Sequence, residues 1–365
     1  MSRLFVSVLV DTYNHEEFIE QALRSVQEQD FPAEDREILV VDDGSTDRTP
    51  EILRRFGSGI RVLRKTNGGQ ASAFNVGIPE CRGEVIAFLD GDDWWVPRKL
   101  STVVGAFAAN PSVGLVGHGI LESFDDGTVR PIALERPERL RLNSVAAARI
   151  FRLRKSYLGT SRMNIRATLA RQILPVPEAL QIEADEYLFT LAAALSELVI
   201  LTETLTHYRL HKASLYNSAG SNTAGLRRKQ AVLGALAEAL RQELTGRGVP
   251  ADAVRCVVEI VQAEADQLRL MLDGGSPWET LRTEETIYQV LHADASRSQR
   301  LFRWATMLPA SVLPPRWFYG ARRWVARQSW YPIARSKVLP VPTITRLAGW
   351  ESSEGEDGPH PRGQR

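Results

Sequence analysis

Cysteine is scarce in this sequence, and no long apolar run occurs. Only two of the 365 residues are cysteine, Cys81 and Cys256, which excludes a disulfide scaffold and a cysteine-based zinc site and favours a reducing cytoplasm. No apolar stretch approaches the roughly 20 residues that span a bilayer. The first residues, MSRLFVSVLVDTYN, contain one basic residue before the first acidic one, so they predict a strand in preference to a signal peptide.

An excess of charge is also missing. The 45 Lys and Arg residues against 44 Asp and Glu residues give a formal net charge of +1, which argues against a nucleic-acid-binding protein that acts through bulk electrostatics. Neither the G-x-G-x-x-G turn nor the P-loop occurs, which excludes dehydrogenases and P-loop NTPases. A hydrophobic content of 44% is ordinary for a globular protein, and this length allows one large core or two modest ones.

Short apolar runs alternate with segments of helical periodicity in the first part of the chain. The predicted strands cover 5–10, 37–41, 60–64 and 84–89, and the predicted helices cover 15–29, 48–56 and 70–78. This alternation predicts a parallel sheet with helices on both faces, and such sheets bind ligands beyond the carboxyl ends of their strands. Further strands are predicted at 113–116 and 199–201, and a helical hairpin is predicted at 226–245 and 251–272.

Polar residues follow three of the predicted strands. They are the run 11–14 after the first strand, the run 42–45 after the second, and Asp90, Asp92 and Asp93 after the fourth. We expect them to meet in one crevice. Clustered carboxylates repel one another unless a cation joins them, and oxygen ligands suit Mg²⁺ or Mn²⁺, which often carry substrate phosphates as well. The pattern therefore predicts a divalent metal that holds a diphosphate, with a simple acidic surface turn as the alternative.

Three longer stretches occur in a specific order. They are VSVLVDTYNHEEFIEQALRSVQEQ, EILVVDDGSTDRT and NGGQASAFNVGIPECRGEVIAFLDGDDWWVPRKL. Together they resemble glycosyltransferase family 2, the inverting enzymes with a GT-A fold, over residues 5–100. The resemblance continues more loosely to about residue 212 through GTSRMNIRATL, EADEYLF and HYRLH.

The resemblance implies a fold and a reaction. The fold is an α/β fold of the GT-A type, with a Rossmann-like, mostly parallel sheet flanked by helices. The reaction moves a sugar from a nucleotide-diphosphate donor to a hydroxyl of a glycan or lipid-linked acceptor, in cell-surface polysaccharide synthesis. UDP is the donor nucleotide that is most frequent in the family, and the cofactor would be Mg²⁺ or Mn²⁺.

The resemblance also assigns residues on the donor side. It implies that Tyr13 stacks near the nucleobase with Thr12 beside it, and that Asp43 accepts a hydrogen bond from the base. It places Asp90 near the ribose and makes Asp92 a metal ligand. An Asx-turn in the D-D-G-S run is the local alternative for Asp43, and packing at the sheet edge is the alternative for Tyr13.

One position departs from the family pattern. Position 11 is Asp in VDTYN, where the family more often has a small residue or proline. A carboxylate near a diphosphate is repulsive unless it points towards the base or pairs with Arg or Lys. Asp11 therefore leaves the details of nucleotide binding open, although it does not affect the predicted fold.

On the acceptor side the resemblance points to EADEYLF. It aligns Asp185 with the base that takes the proton of the acceptor hydroxyl, while Ala184 replaces the usual glutamate. An ionised aspartate can accept this proton if it lies within hydrogen-bond reach; a solvated acidic first turn of a helix is the alternative. His211 in HYRLH matches a histidine that can complete the metal shell, and a structural role is its alternative.

The segment 301–350 is basic and aromatic. It contains eight Arg or Lys residues, no Asp or Glu, and five of the eight tryptophans of the chain. Helical spacing over 316–328 groups Trp317, Phe318 and Trp324 on one arc and arginines on another. This pattern predicts an interfacial helix on an anionic membrane, and therefore an enzyme at the inner face of the cell membrane. The alternative is a helix that packs on the catalytic domain.

These patterns divide the chain into regions. We expect a GT-A domain at 1–215 with a nucleotide-binding half at 1–110 and an acceptor half at 111–215, a helical hairpin extension at 216–300, the basic aromatic segment at 301–350 and a disordered tail at 351–365.

Two other functions compete with glycosyl transfer. A nucleotidyltransferase that forms nucleotide sugars requires a glycine-rich loop with Arg or Lys after the first strand, and DTYNHEEF has neither. A non-catalytic carbohydrate-binding protein on the same fold is the second alternative. The presence of the metal aspartates and of Asp185 argues against it.

Overall fold

A computed structural model describes residues 4–210, 223–291, 301, 303–304 and 307–326. The strands are β1 (Val6–Thr12), β2 (Arg36–Asp42), β3 (Arg61–Arg64), β4 (Val85–Asp90), β5 (Trp94–Trp95), β6 (Val113–Phe124), β7 (Val129–Ile132), β8 (Glu138–Leu140), β9 (Asn164–Arg166) and β10 (Glu197–Leu210). The helices are α1 (Ile19–Gln27), α2 (Thr49–Arg55), α3 (Gln70–Glu80), α4 (Lys99–Ala109), α5 (Val145–Arg154), α6 (Ala167–Ile173), α7 (Ala184–Leu195), α8 (Thr223–Gly246), α9 (Ala251–Asp273), α10 (Pro277–Leu291) and α11 (Pro315–Ala326).

The strands form one mixed sheet in the order β3-β2-β1-β4-β9-β6-β10-β5, with β7 paired to β6 and β8 to β10. The strands β1 to β4 are parallel to one another where they pair, as the alternating pattern predicts. The short strand β9 joins this half to the parallel pair of β6 and β10 through antiparallel pairings. The predicted α/β class, with a parallel sheet flanked by helices, is confirmed.

The two faces of the sheet are covered by different cores. In β1, the side chains of Val6, Val8 and Val10 lie in one apolar cluster, while Leu9 lies in the cluster on the other face. Successive strand residues point to opposite faces, so a continuous apolar run supplies both cores at once. The strands β1, β2 and β4 end in the polar residues Thr12, Asp42 and Asp90.

The helices α8 and α9 share the larger of the two cores. Leu236 in α8 and Val257 in α9 are fully buried in the cluster that also holds Leu9 and Phe88 of the sheet. Helix α8 packs against α7, and α9 packs against α5. The predicted helical hairpin is therefore present, and it lies against the α/β part of the chain.

Helix α11 buries only part of its apolar surface. Phe318 and Tyr319 pack with Leu270 in a small third core, whereas Trp317 is 73% exposed and Trp324 is 64% exposed. No helix in the described part of the chain has both the length and the hydrophobicity that a membrane span requires. The predictions for His211, for 327–350 and for the tail at 351–365 lie outside the described residues.

Candidate active site

The ends of β1, β2 and β4 lie side by side. In the parallel register Asp11 of β1 stands opposite Asp90 of β4, and Thr12 stands opposite Asp42 of β2. The backbone N–H of Gly91 donates to the carbonyl of Asp11 at 3.0 Å, which continues the pairing by one residue beyond β4. The ends of these three strands therefore lie next to one another, as the sequence predicts.

The three aspartates after β4 form a compact group. One carboxylate oxygen from each of Asp90, Asp92 and Asp93 lies within 4.8 Å of the others. Gly91 lies between Asp90 and Asp92, where there is no space for a side chain. A Cβ at this position would lie 2.6 Å from His15 Nδ1 and 2.7 Å from Thr12 Oγ1. Only glycine lets the end of β4 approach β1 this closely.

The carboxylates around this group are buried and repel one another. Burial, together with the charges of Asp92, Asp185 and Asp43, raises the pKa of Asp11 to about 8. Burial and the charge of Asp92 raise the pKa of Asp93 to about 7. Burial and the charge of Asp11 also raise the pKa of Asp90. A cation would stabilise the ionised forms of all of these groups.

The donor set fits a divalent metal. The Oδ2 atom of Asp93 is buried and has no hydrogen-bond partner within the described residues, while its Oδ1 accepts a hydrogen bond from the backbone N–H of Arg209 at 2.9 Å. The ligand atoms are all carboxylate oxygens, which hard cations such as Mg²⁺ and Mn²⁺ prefer. The chemistry of these carboxylates therefore fits the predicted metal.

Cations and aromatic rings pack behind the acidic group. Lys99 is fully buried; its ammonium donates to the carbonyl of Ser161 at 2.9 Å and lies 3.5 Å from the ring centroid of Trp95. Trp94 is stacked on His207 with the centroids 4.5 Å apart, and the guanidinium of Arg209 lies 4.4 Å from its ring. Trp95 is buried beside this strand end, whereas Trp94 is half-buried.

Asp43 holds the loop that follows β3. Its carboxylate accepts hydrogen bonds from the Lys65 ammonium at 2.5 Å, the Gly68 N–H at 3.0 Å and the Gly69 N–H at 2.7 Å. The Asx-turn expected in the D-D-G-S run is made by Asp42, whose Oδ1 accepts from the Ser45 N–H at 2.9 Å. Asp43 therefore has a structural task that the sequence pattern did not indicate.

Thr12 and Tyr13 follow Asp11 at the same strand end. Thr12 is buried, and its hydroxyl lies 3.2 Å from Nδ1 of His15. Tyr13 is half-buried. The other ring nitrogen of His15, Nε2, lies 4.0 Å from a carboxylate oxygen of Asp92, so His15 connects the end of β1 to the aspartate group.

Asp185 reaches the same crevice from the other half of the chain. It lies in the first turn of α7, and its Oδ2 accepts two hydrogen bonds from Thr160, from the backbone N–H at 3.0 Å and from the hydroxyl at 3.1 Å. The next residue, Ser161, accepts a hydrogen bond from the backbone N–H of Asp90 at 3.0 Å. Two adjacent residues thus hold the predicted base and the aspartate group.

Gln70 links the turn of Thr160 to the start of α7. Its side-chain NH₂ donates to the hydroxyl of Thr160 at 3.0 Å, and its side-chain carbonyl accepts from the backbone N–H of Ala184 at 3.0 Å. Sequence reasoning did not identify Gln70 or Thr160. The available signal was a polar residue directly after the N-G-G turn, but its partners lie far along the chain.

The glutamates on either side of Asp185 are paired with cations. Glu183 lies 3.3 Å from the ammonium of Lys229, and Glu186 binds Arg152 and Lys155. Glu183 has a left-handed backbone conformation with φ of 61°, which costs a residue with a side chain about 1–3 kcal/mol. Asp185 is held by uncharged donors of Thr160 instead, and burial raises its pKa.

Comparison with known proteins identifies the family of this chain. The family model of glycosyl transferase family 2 matches residues 7–166. The chain is 31% identical over 226 residues to an uncharacterised glycosyltransferase of Nostoc sp., covering 60% of this chain and 69% of that protein. It is 29% identical over 230 residues to the poly(ribitol-phosphate) beta-N-acetylglucosaminyltransferase TarS of Staphylococcus aureus, covering 58% of this chain but 37% of TarS.

A solved structure is also similar to this one. The mannosyltransferase of Pyrobaculum calidifontis in complex with GDP-Man and Mn²⁺ is 20% identical, with a TM-score of 0.49, over 92% of this chain and 87% of that one. The family model includes all three strand ends that build the crevice, and the Nostoc relative is matched over more than two thirds of its length. The chain therefore belongs to glycosyltransferase family 2, and it is a glycosyltransferase with the GT-A fold.

Proposed function

We propose that the crevice holds the diphosphate of a nucleotide sugar through a divalent cation and transfers the sugar, with inversion, to a hydroxyl of a glycan or lipid-linked acceptor. The observation that carries this proposal is the Thr160–Ser161 pair. Thr160 holds the carboxylate of Asp185, and Ser161 holds Asp90 beside the acidic group. An inverting, metal-dependent transfer needs a metal-binding group and a proton acceptor held in a fixed relative position, and the adjacent residues Thr160 and Ser161 provide this connection.

On the donor side, Asp92 would hold the metal together with Asp93, and Asp90 would lie near the ribose. When bound, the cation supplies Lewis-acid stabilisation of the charge on the departing diphosphate. His211, outside the described residues, remains a proposed further ligand. Asp93 offers an oxygen that has no hydrogen-bond partner within the described residues, so it adds a ligand that the resemblance did not assign.

The nucleobase would lie beyond the ends of β1 and β2. We assign Thr12 and Tyr13 to its face and Asp43 to its polar edge, with a UDP-sugar as the expected donor. Asp43 orders the loop of Lys65 and Gly69 through hydrogen bonds, so it would act both on the base and on the loop beside it. The similarity to TarS, a beta-N-acetylglucosaminyltransferase by name, supports an amino sugar as the first donor to test.

On the acceptor side, Asp185 would take the proton of the attacking hydroxyl. An ionised carboxylate offers about four acceptor positions, and three are occupied by the N–H and hydroxyl of Thr160 and the N–H of Glu186. Among the described residues, one position remains for the acceptor. As its oxygen bonds to the anomeric carbon, the bond from that carbon to the diphosphate breaks, the electron pair leaves with the diphosphate, and the proton moves to Asp185.

A panel of nucleotide sugars with Mn²⁺ tests this proposal. A donor that binds only the folded state raises the melting temperature, and we expect one nucleotide sugar to do so only when Mn²⁺ is present. Asp185→Asn should keep this donor binding and lose transfer, whereas Asp92→Asn should lose both. Transfer by Asp185→Asn at the wild-type rate would refute the role of Asp185, and donor binding that ignores Mn²⁺ would refute the metal-held diphosphate.

We also propose that the acceptor is met at a membrane surface, at the inner face of the cell membrane, where cell-surface polysaccharides are assembled. Three tryptophans near the carboxyl-terminal end of the described chain support this: Trp278 is 72% exposed, Trp304 70% and Trp317 73%. Leu301, Leu308 and Val312 in the same part of the chain are 62% to 74% exposed. Tryptophan is enriched at the membrane interface, where its amphipathic ring lies at the level of the headgroups.

The charge of the same segment selects anionic lipid. Residues 301–350 carry eight Arg or Lys residues and no Asp or Glu. Arg303 and Arg322 are paired with Glu284, and each remaining basic residue that lies near an anionic surface would add about 1 kcal/mol of attraction. Flotation with phosphatidylglycerol vesicles should recover the wild-type protein, and Trp304→Ser/Trp317→Ser should reduce this recovery. The matched control is Val62→Ser/Val129→Ser, which removes exposed apolar side chains on β3 and β7. Equal recovery of both double variants would refute the membrane contact.

A further inference from the structure

We propose that the helices α8 and α9 set the orientation and proton affinity of Asp185 through buried ion pairs with its two neighbours, Glu183 and Glu186. Lys229 in α8 is then a positioning residue for the transfer reaction. This inference rests on the proposed role of Asp185 as the base. It assigns to the helical hairpin a part in the chemistry of the crevice.

The first ion pair joins α8 to the start of α7. The ammonium of Lys229 lies 3.3 Å from a carboxylate oxygen of Glu183, and the two side chains are only 6% and 15% exposed. Lys229 lies beside the buried Val232 and Leu233 on the packed face of α8. Burying a lysine among apolar side chains is costly unless a partner compensates its charge. Packing of α8 alone would favour an apolar residue here, so the ion pair itself explains the lysine.

Glu183 lies at the corner that aims Asp185 into the crevice. Its left-handed backbone, with φ of 61° and ψ of 20°, immediately precedes α7. A residue with a side chain rarely adopts this conformation unless the surrounding structure holds it there. The contact of its carboxylate with Lys229 supplies such a restraint. Lys229 therefore helps to fix the direction in which the first turn of α7 presents Asp185.

The second set of ion pairs lies on the other side of Asp185. Glu186 binds Arg152 and, at 3.0 Å, Lys155. Glu264 in α9 accepts from the same two cations, at 3.3 Å from Arg152 and 3.4 Å from Lys155. Arg152 is 1% exposed and Glu186 is 3% exposed, so these charges interact in a poorly screened environment. The hairpin thus reaches both neighbours of Asp185, one through each helix.

The two sets of ion pairs are neutral together. They contain three carboxylates, from Glu183, Glu186 and Glu264, and three cations, from Arg152, Lys155 and Lys229. Loss of one cation leaves a carboxylate uncompensated close to Asp185, which disfavours the ionised form of the base. Loss of Glu264 leaves an uncompensated cation and favours the ionised form.

Other charged groups face Asp185 and stay constant in this comparison. They are Arg162 in the turn that follows Thr160, Asp11 at the end of β1 and Asp90 at the end of β4. The hydrogen bonds from Thr160 also remain. A change in the titration of Asp185 on substitution of a hairpin residue is therefore attributable to the ion pairs.

The test uses substitutions in the hairpin of the full-length protein. Lys229→Met should move the acid limb of the pH profile of kcat upward by about 0.5 or more pH units, and Lys229→Arg should leave it in place. Lys229→Met/Glu183→Gln should return it towards the wild-type position, because both charges of the pair are then absent. Glu264→Gln should move the acid limb to lower pH. Because the side chain of Glu264 is 24% exposed, we expect this variant to fold.

A second readout does not depend on turnover. Carboxyl-labelled aspartate allows ¹³C NMR titration of Asp185, assigned from the signal that Asp185→Asn removes. In one outcome, Lys229→Met shifts the pH at which Asp185 titrates but leaves the acid limb of the pH profile of kcat unchanged. The ion pairs then control the proton affinity of this carboxylate, but Asp185 is not the base, and the proposed function is refuted for that residue. If a folded Lys229→Met protein and Glu264→Gln both titrate like the wild type, the proposed role of the hairpin is refuted.

Discussion

Thr160 donates two hydrogen bonds to a single oxygen of Asp185, from its backbone N–H at 3.0 Å and from its hydroxyl at 3.1 Å. Gln70 donates to that same hydroxyl at 3.0 Å. The hydroxyl of Thr160 is thus the point at which the start of α3, the turn of Thr160 and the start of α7 meet. This arrangement fixes the carboxylate of Asp185 before any acceptor arrives.

Removing the hydroxyl of Thr160 should weaken the base. Thr160→Val keeps the shape of the side chain and the backbone N–H of residue 160 but loses the hydrogen bond from the hydroxyl to Asp185. A hydrogen bond to a charged group contributes about 1.5–3 kcal/mol. The lost donor favoured the ionised carboxylate, so the pKa of Asp185 should rise and the acid limb of the pH profile of kcat should move to higher pH. Thr160→Ser keeps the hydroxyl and should retain the wild-type profile. An unchanged profile in Thr160→Val would show that the hydroxyl does not act on the base.

The ion pair of Arg152 and Glu186 should make stability depend on pH. Burial opposes ionisation of Glu186, but the charges of Arg152 and Lys155 prevail and lower its pKa to about 2. Since its ordinary value is 4.5, this pairing stabilises the fold above pH 4.5, and the stabilisation is lost as the pH falls towards 2. Arg152→Met leaves a buried carboxylate poorly compensated and should cost about 3–5 kcal/mol at pH 7.

Urea unfolding at two pH values measures this effect. The loss of stability in Arg152→Met should be smaller at pH 4 than at pH 7, because protonation of Glu186 relieves the uncompensated charge. The control Arg152→Met/Glu186→Gln should lose less stability at pH 7 than Arg152→Met alone. The same loss at both pH values would contradict a role for the charge of Glu186.

Gly91 should tolerate no larger residue. A Cβ there would lie 2.6 Å from His15 and 2.7 Å from Thr12, so Gly91→Ala should cost about 1–3 kcal/mol and separate the ends of β1 and β4. Mn²⁺ binding should weaken with it, as measured by isothermal titration. The control is Gly105→Ala in α4, where the added Cβ would have no atom within 4 Å. This substitution should leave the free energy of unfolding unchanged or raise it by about 0.5–1 kcal/mol. Wild-type Mn²⁺ affinity in Gly91→Ala would contradict the close approach.

The strands of the sheet could be predicted because they are apolar runs. The residues at which these strands end could not be predicted. The predicted strands 5–10 and 84–89 stop before Thr12 and Asp90, which are polar yet still pair in register with their neighbours. The prediction of 113–116 captured only the start of β6, which continues to Phe124. Polar residues such as Glu122 interrupt the apolar run there although they are buried within the sheet.

The candidate site was predictable where it follows strand ends and not where it depends on distant contacts. The acidic group and Asp185 carry recognisable patterns. Gln70 and Thr160 do not, since their hydrogen bond joins positions that are far apart in sequence. Lys229 was missed because lysine usually indicates an exposed position, and only the packing of α8 against α7 buries it beside Glu183.

Calorimetric titration of the protein with a nucleoside diphosphate, first UDP and then GDP, in the presence of Mn²⁺ tests the central claim most directly. We expect one of them to bind with Mn²⁺, with no measurable binding in EDTA and no measurable binding to Asp92→Asn even with Mn²⁺. Equal affinity in EDTA and in Mn²⁺, or wild-type affinity in folded Asp92→Asn, would contradict it.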